Sequence, residues 1–115
     1  MDTTQYLDIF IDESTEHLET VSTQLLELEK APDEKSIIEE IFRAAHTLKG
    51  MSATMGFTDL ANLTHQMENV FDGVRYDKIT VEPDMIDILF EAVDDLNAML
   101  EDIANGGEGK RDVQH

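Results

Sequence analysis

The sequence contains no cysteine among its 115 residues. Disulfide bonds and zinc or iron–sulfur sites ligated by cysteine are therefore excluded, and a reducing compartment is compatible with the chain. Apolar runs are only a few residues long, so no segment is predicted to span a membrane. The acidic N-terminal stretch MDTTQYLDIFIDES lacks the basic start of a secretory signal. We therefore expect a cytoplasmic protein with no direct membrane insertion.

Basic residues are scarce, because 8 Lys and Arg stand against 26 Asp and Glu and give a net charge of −18. Nucleic acids and anionic membrane surfaces are bound through Lys and Arg, so neither is an expected partner. Acidic residues are themselves missing from residues 41–58, where the average density of the chain would place about four. That window holds Arg43 and Lys49, which makes it the least acidic patch of the chain.

Signals for β-strands are also missing, since no sustained alternation of apolar and polar residues occurs. Four segments instead show helical periodicity, in which positions recur at intervals of three and four residues. The recurring positions are Leu7, Ile11, Ser14, Leu18, Val21, Leu25 and Leu28; Ile38, Ile41, Phe42, Ala45, Leu48 and Ser52; Leu60, Leu63, Met67, Val70, Phe71 and Val74; and Ile86, Leu89, Val93, Leu96, Leu100 and Ile103. Isolated amphipathic helices are marginal in water, so these faces must bury one another. The pattern predicts an all-α, antiparallel up-down-up-down four-helix bundle.

Proline and glycine mark the breaks between the four segments. Pro32 cannot continue a helix, and Gly56 is predicted to end the second one. Asp33 and Thr58 are predicted as N-caps of the second and third helices, and Pro83 suits a first helical turn. A long coiled coil is the weaker alternative, because the first seam runs for only about three heptads before it is interrupted.

The window without acidic residues carries a histidine in an unusual setting. His46 lies roughly 120° from the centre of the apolar stripe of its helix, so we expect it to be partly exposed. Lys49 follows on the same side, and Gly50 lies one turn after His46, where any side chain would lean over the imidazole. Glycine inside a helix costs about 1 kcal/mol relative to alanine. A glycine at position 50 despite this cost indicates either clearance for a partner that approaches His46 or close packing of another helix against Gly50.

The third helix supplies a counterpart in His65 and Glu68, which are three residues apart on one side of it. If the second and third helices are neighbours, Glu68 can accept a hydrogen bond from Nδ1–H of His46. The Nε2 lone pair would then face solvent as a nucleophile. Lys49 supplies positive charge, which favours transfer of an anionic phosphoryl group. The pattern predicts that His46 is a phosphoacceptor.

Three segments, AAHTLKGMSATMGF, YLDIFIDESTEHL and LANLTHQMENVFD, resemble a known family. They are similar to histidine phosphotransfer (HPt) domains with a His-x-x-Lys-Gly core, and among these to the domains at the N-terminus of chemotaxis histidine kinases of the CheA family. The likeness runs from about residue 4 to about residue 104.

The resemblance implies that His46 is phosphorylated by the catalytic domain of the same kinase, in trans within a dimer, where ATP and Mg are bound. The phosphoryl group would pass to an aspartate of a response regulator of the CheY or CheB type. By the same resemblance Lys49 helps to hold the phosphoryl group and Gly50 gives a partner clearance. His65 and Glu68 belong to the hydrogen-bonded network around the acceptor.

No Gly-rich phosphate loop, Walker motif or Asp-Phe-Gly motif is present in the sequence. The domain alone is therefore expected to hold no cofactor and to turn over no substrate. We assign residues 1–104 to the phosphotransfer bundle and residues 105–115 to a flexible linker. The linker is expected to begin a connection to further domains of a longer kinase, in whose family a fifth helix often follows.

Two other functions remain open at the level of the sequence. A metal-binding bundle could use His46, His65 and Glu68, with His17 as a further donor. Di-iron bundles, however, need Glu-x-x-His on two helices, and this chain has a single His-x-x-Glu, so we expect no metal cofactor. An acidic adaptor domain without phosphotransfer would dock a basic partner, but it gives no reason for a lysine and a glycine beside His46.

Overall fold

The computed structural model describes residues 3–110 and consists of four helices joined by short connections. They are α1 (Thr3–Lys30), α2 (Lys35–Thr54), α3 (Thr58–Arg75) and α4 (Pro83–Ala104). Each helix packs against two neighbours, in the cyclic order α1, α2, α3, α4. No strand occurs in this part of the chain, and none of its helices has the length and apolar character needed to cross a bilayer. The predicted antiparallel four-helix bundle is confirmed.

One apolar core lies between the four helices, and the recurring positions supply most of it. Leu7, Ile11, Phe42 and Val70 are only partly buried, because they lie at the edges of their stripes. The periodicity did not include Phe10, which is buried where α1 meets the turn after α2 and packs on Phe57 at a ring-centroid distance of 5.3 Å. Ala44 and Met99 are buried as well.

Three of the helices end in a Schellman motif, in which two amides after the helix donate back to its last turn. At the end of α2 the amide of Gly56 donates to the carbonyl of Ala53 at 3.1 Å, and that of Phe57 to Ser52 at 3.0 Å. Gly56 has a φ of 81°, which only glycine adopts without steric cost, so its predicted role as a helix stop is confirmed. The residues at the equivalent position after α3 and α4 are Asp77 and Gly106.

Lys35 ties the start of α2 to the end of α3. Its Nζ atom donates to Oδ1 of Asp77 at 2.7 Å, and to the carbonyls of Val74 and Arg75 at 3.4 and 3.3 Å. The last carbonyls of a helix carry partial negative charge, so an ammonium placed there is stabilising. This contact holds α2 and α3 side by side at one end of the bundle.

The two predicted N-caps are each wrong by one position. The N-cap of α2 is Glu34 and that of α3 is Phe57, and neither side chain makes a capping hydrogen bond. Asp33 lies in the preceding turn, and Thr58 is already the first residue of α3. The reason at α3 is that the turn at Gly56 leads directly into the next helix, which leaves no spacer for a polar cap. Pro83 begins α4 as predicted.

Beyond α4 the chain turns back on the helix over residues 105–110. The amide of Gly107 donates to the carbonyl of Asp102 at 2.8 Å, and that of Gly109 to Oδ2 of Asp102 at 3.0 Å. Gly109 is buried against Ile103. The remainder of the assigned linker, residues 111–115, lies outside the described residues, and the assignment of residues 105–115 to a flexible linker stays a prediction.

Candidate functional site

Three side chains named from the sequence meet at the surface where α2 packs on α3. The Nδ1 atom of His46 contacts Oε2 of Glu68, and Nζ of Lys49 donates to Oε1 of the same carboxylate at 2.7 Å. An ionised carboxylate can only accept hydrogen bonds, so the proton of the imidazole is assigned to Nδ1. Glu68 thus holds the imidazole with one oxygen and the ammonium with the other.

The neighbouring core residues set this geometry. On α2, Ala45 and Leu48 are buried, which places His46 and Lys49 directly beside the buried face and three residues apart. On α3, Met67 is buried next to Glu68, so the carboxylate projects along the edge of the core toward α2. The site is therefore built entirely on two packed helices and not on loops.

Burial differs sharply between the two partners of the contact. The side chain of Glu68 is 9% exposed, whereas that of His46 is 61% exposed. The Nε2 atom of His46 makes no hydrogen bond to any described residue. The arrangement leaves an imidazole that is anchored through one nitrogen and accessible at the other.

The charge of Glu68 follows from its surroundings. Burial raises the pKa of the Glu68 carboxyl, but hydrogen bonds from Lys49 and His46, together with their charge, lower it by more. The pKa therefore lies below its ordinary value, and the carboxylate is ionised at neutral pH. An ionised Glu68 can accept hydrogen bonds from both of its partners.

Gly50 leaves open space beside the imidazole. A Cβ atom built on Gly50 would have no other atom within 4 Å, leaving aside its own chain neighbours and local helix backbone. No other helix in the described part of the chain packs against this position, which removes close packing as the explanation for the glycine. The space above His46 is free for an approaching molecule.

An open groove of about 490 Å³ continues from this space between α1 and α2. His46, Gly50 and Met51 line it on α2. On α1 it is lined by Tyr6 and Ile9, whose side chains are largely exposed. A partly apolar surface next to the exposed imidazole is suited to contact with a protein rather than with a small charged ligand.

The structure does not bring His65 into the hydrogen-bonded group. Its side chain is exposed and makes no hydrogen bond or ion pair with a described residue. Positions three apart on a helix differ by about 60° in direction, which is enough to place Glu68 in the interface and His65 outside it. His17 lies partly buried on α1 and makes no hydrogen bond with the group either.

Sequence reasoning missed Phe42 as a neighbour of His46, and Arg75 as a neighbour of Phe42. The ring of Phe42 is nearly parallel to the imidazole, with an interplanar angle of 17° and a centroid distance of 6.1 Å. The guanidinium of Arg75 lies 4.1 Å from the centroid of the Phe42 ring. The spacing of four between Phe42 and His46 was the available signal. Arg75 could not be found from spacing, because its contact depends on how α3 is aligned with α2.

A metal centre finds no support in the described residues, among which no group of three or more His, Asp or Glu side chains could hold an ion. The carboxylate that contacts His46, that of Glu68, is already bound to two nitrogen atoms of the protein. The donor set that a di-iron bundle requires is therefore not assembled in this part of the chain.

Comparisons of the sequence and of the fold with known proteins point to the same family. A family model described as "Hpt domain" matches residues 5–106. The chain is 59% identical to chemotaxis protein CheA of Bacillus subtilis over 113 residues, which is 98% of this chain but only 17% of that protein. It is 50% identical to chemotaxis protein CheA of Listeria monocytogenes over 111 residues, 96% of this chain and 18% of that protein. The chain thus spans less than a fifth of the length of these relatives.

Two solved structures share the fold closely. The CheA phosphotransferase domain from Thermotoga maritima has a TM-score of 0.86 at 42% identity, and the match covers 90% of this chain and 99% of that one. The phosphorylated P1 domain of CheA3, solved in complex with CheY6 from R. sphaeroides, has a TM-score of 0.82 at 29% identity. That match covers 88% of this chain and 79% of the other.

Proposed function

The chain belongs to the Hpt domain family, and we propose that it is the phosphoacceptor and phosphocarrier domain of a chemotaxis histidine kinase. His46 is the acceptor. Its Nε2 lone pair attacks the γ-phosphorus of ATP held by the catalytic domain, a new N–P bond forms, and ADP leaves with the electrons of the broken P–O bond. In the second transfer an aspartate carboxylate of a response regulator attacks the phosphorus, and the N–P bond breaks.

The contact between His46 and Glu68 is the observation that carries this proposal. When Nε2 acquires a phosphoryl group while Nδ1 keeps its proton, the imidazole ring becomes cationic. The Glu68 carboxylate, bound at Nδ1–H, stabilises that cation and anchors the ring at Nδ1. His46 is the one histidine of the described residues with a carboxylate partner, which distinguishes it from His17 and His65.

Lys49 supports the same chemistry through its charge. Its ammonium lies three residues from His46 and is 30% exposed, so it can turn toward a phosphoryl group on Nε2. Phosphoryl transfer depends chiefly on positioning and on positive charge near the equatorial oxygens. Lys49 provides that charge in a window of the chain that carries no carboxylate of its own.

Gly50 and the groove between α1 and α2 supply the docking surface for both partners. We propose that the partners are the catalytic domain of the same kinase, acting in trans within a dimer, and regulators of the CheY and CheB type. The R. sphaeroides structure supports this, because a domain with the same fold binds CheY6 there. His65 lies outside the hydrogen-bonded group, and its proposed contribution is limited to the surface around the acceptor.

The rest of the kinase supplies what this domain lacks. ATP and Mg bind to the separate catalytic domain, in keeping with the similarity to CheA proteins that are more than five times as long as this chain. Residues 1–104 form the phosphotransfer unit, residues 105–115 begin the connection to the other domains, and the protein is cytoplasmic.

Labelled ATP tests the proposal directly. The domain is incubated with the catalytic portion of the Bacillus subtilis kinase, and the label is followed in the wild-type chain and in His46→Gln and His65→Gln. We expect label on the wild type and on His65→Gln, stable in base and lost in acid, and none on His46→Gln. Label that persists in His46→Gln would overturn the assignment. An adaptor without phosphotransfer would bind the kinase and take up no label at all.

A further inference from the structure

Three flat groups follow one another along the boundary between α2 and α3: the guanidinium of Arg75, the phenyl ring of Phe42 and the imidazole of His46. Arg75 lies 4.1 Å from the Phe42 centroid, and the two rings lie 6.1 Å apart at 17°. Both separations fall in the range in which cation–π and offset ring contacts are attractive.

The order of the three groups follows from the spacing on α2. The Nε atom of Arg75 binds Oε1 of Glu39 at 2.8 Å, and Glu39 lies one turn before Phe42. His46 lies one turn after Phe42, and helical side chains lean toward the N-terminus, so the imidazole comes back over the phenyl ring. Phe42 is thus the ring that neighbours both the guanidinium and the imidazole.

Arg75 is itself firmly held. Besides Glu39, its guanidinium is 3.6 Å from Oδ1 of Asp72, and its side chain is only 23% exposed. A planar guanidinium can bind a carboxylate along its edge and stack on an aromatic ring with its face at the same time, which lysine cannot do. Arg75 is therefore held with its guanidinium against the Phe42 ring.

A single hydrogen bond does not define the orientation of an imidazole that is 61% exposed. The contact with Glu68 holds Nδ1 but leaves the ring free to swing about that point. The ring of Phe42 is nearly parallel to the imidazole and so restricts the plane in which the imidazole lies. We infer that Phe42 and Arg75 are positioning residues that orient the imidazole of His46, Phe42 by direct contact and Arg75 through Phe42. This role in the transfer reaction rests on the proposed function of His46.

The competing explanation is that Arg75 merely holds α2 and α3 together. Lys35 offers a matched control, because it joins the same two helices at the same end of the bundle through its 2.7 Å contact with Asp77. No hydrogen bond or ion pair connects Lys35 with Phe42 or His46 in the described residues. A purely structural role predicts the same effects for Lys35→Gln and Arg75→Gln.

The first measurement needs no kinase. Long-range ¹H–¹⁵N NMR spectra of the neutral imidazole distinguish the Nδ1–H tautomer from the Nε2–H tautomer. We expect wild type, Lys35→Gln and Phe42→Tyr to show the Nδ1–H tautomer. Phe42→Leu and Arg75→Gln should show a growing share of Nε2–H, the larger share in Phe42→Leu. An unchanged tautomer ratio in Phe42→Leu would overturn the positioning role.

The second measurement is the initial rate of phosphorylation by the catalytic domain at saturating ATP. We expect Phe42→Leu to lower the rate about three- to tenfold, the loss that one ring contact represents. Arg75→Gln should lower it about two- to fivefold, with Arg75→Lys restoring less than half of that loss. Lys35→Gln should match the wild type. Equal rates for Lys35→Gln and Arg75→Gln would mean that Arg75 only holds α2 and α3 together and does not position the imidazole.

The two measurements separate this inference from the proposed function. If the wild type takes up no phosphoryl group, the proposed function fails while the tautomer ratios still decide whether Phe42 and Arg75 orient the ring. If the wild type is phosphorylated and the ratios and rates of Phe42→Leu are unchanged, the inference alone fails.

Discussion

Lys49 places its Nζ atom 2.7 Å from Oε1 of Glu68, on the same carboxylate whose other oxygen contacts His46. In the resting domain the lysine is therefore bound to the glutamate. In the proposed transfer an incoming phosphoryl group would compete for Lys49, and a Lys49 that moved to the phosphoryl oxygens would leave the negative charge of Glu68 to the imidazole alone. The two interactions of the carboxylate are thus coupled.

Replacing Glu68 tests the orienting hydrogen bond. Gln keeps the size of the side chain but loses the charge that favours the Nδ1–H tautomer and stabilises the cationic phosphorylated ring. We expect Glu68→Gln to lower the initial phosphorylation rate by about tenfold, the low end of what one hydrogen bond to a charged group contributes, measured with labelled ATP, with binding to the kinase unchanged. Glu101→Gln, an exposed position on α4, is the matched control. A rate equal to wild type in Glu68→Gln would show that the hydrogen bond plays no part.

Replacing His46 separates function from stability. The imidazole is largely exposed, and when the imidazole is removed the Glu68 carboxylate keeps its hydrogen bond from Lys49. We expect His46→Gln to abolish phosphorylation while the free energy of unfolding in urea changes by less than about 1 kcal/mol. A loss of several kcal/mol would mean that His46 is part of the core.

Gly50, inside α2, and Gly56, in the turn that ends it, should respond to alanine with opposite sign. Gly50 lies inside the helix with open space around its Cα, so Gly50→Ala should raise the free energy of unfolding by about 0.5–1 kcal/mol. Gly56 has a φ of 81°, so Gly56→Ala should lower it by about 1–2 kcal/mol. Urea denaturation measures both.

A larger side chain at Gly50 should cost activity and not stability. Gly50→Leu fills the space above His46, so we expect it to fold with at least wild-type stability and to be phosphorylated much more slowly. Ala98→Leu, an exposed position on α4 that does not line the groove, controls for added apolar surface. Full activity of Gly50→Leu would mean that no partner needs the open space.

Acid should weaken the fold partly through Glu68. Its pKa in the folded protein is lower than in the unfolded chain, so its ionised form adds stability above the ordinary glutamate value of about 4.3. That stability is lost as the pH falls through the lowered pKa. The free energy of unfolding of Glu68→Gln should therefore approach that of the wild type as the pH drops below about 4. A difference that stays constant from neutral pH to pH 3 (about one unit below the ordinary value) would contradict this.

The fold could be predicted from the sequence because its signals are local and agree with one another. The apolar positions of each helix recur at three and four residues, and Pro32, Gly56 and Pro83 separate the helices. The prediction of Asp33 and Thr58 as N-caps was wrong, because the backbone turn, and not a polar side chain, decides where α2 and α3 begin.

The site could be predicted only as far as its residues lie on regular helices. The proximity of His46, Lys49 and Glu68 follows from spacing once α2 and α3 are taken as neighbours. That Glu68 is buried and His65 exposed depends on the rotation of α3 about its own axis. The position of Arg75 over Phe42 depends on the axial alignment of α3 against α2, which no local pattern encodes.

Because His46, Lys49 and Glu68 lie on two packed helices, the imidazole is positioned when the chain folds and before any partner binds. The conformational entropy of ordering this side chain is lost once, on folding, and need not be lost again each time a partner binds. In the proposed reaction the catalytic domain and a response regulator would therefore use the same Nε2 atom in turn, without a conformational change of this domain.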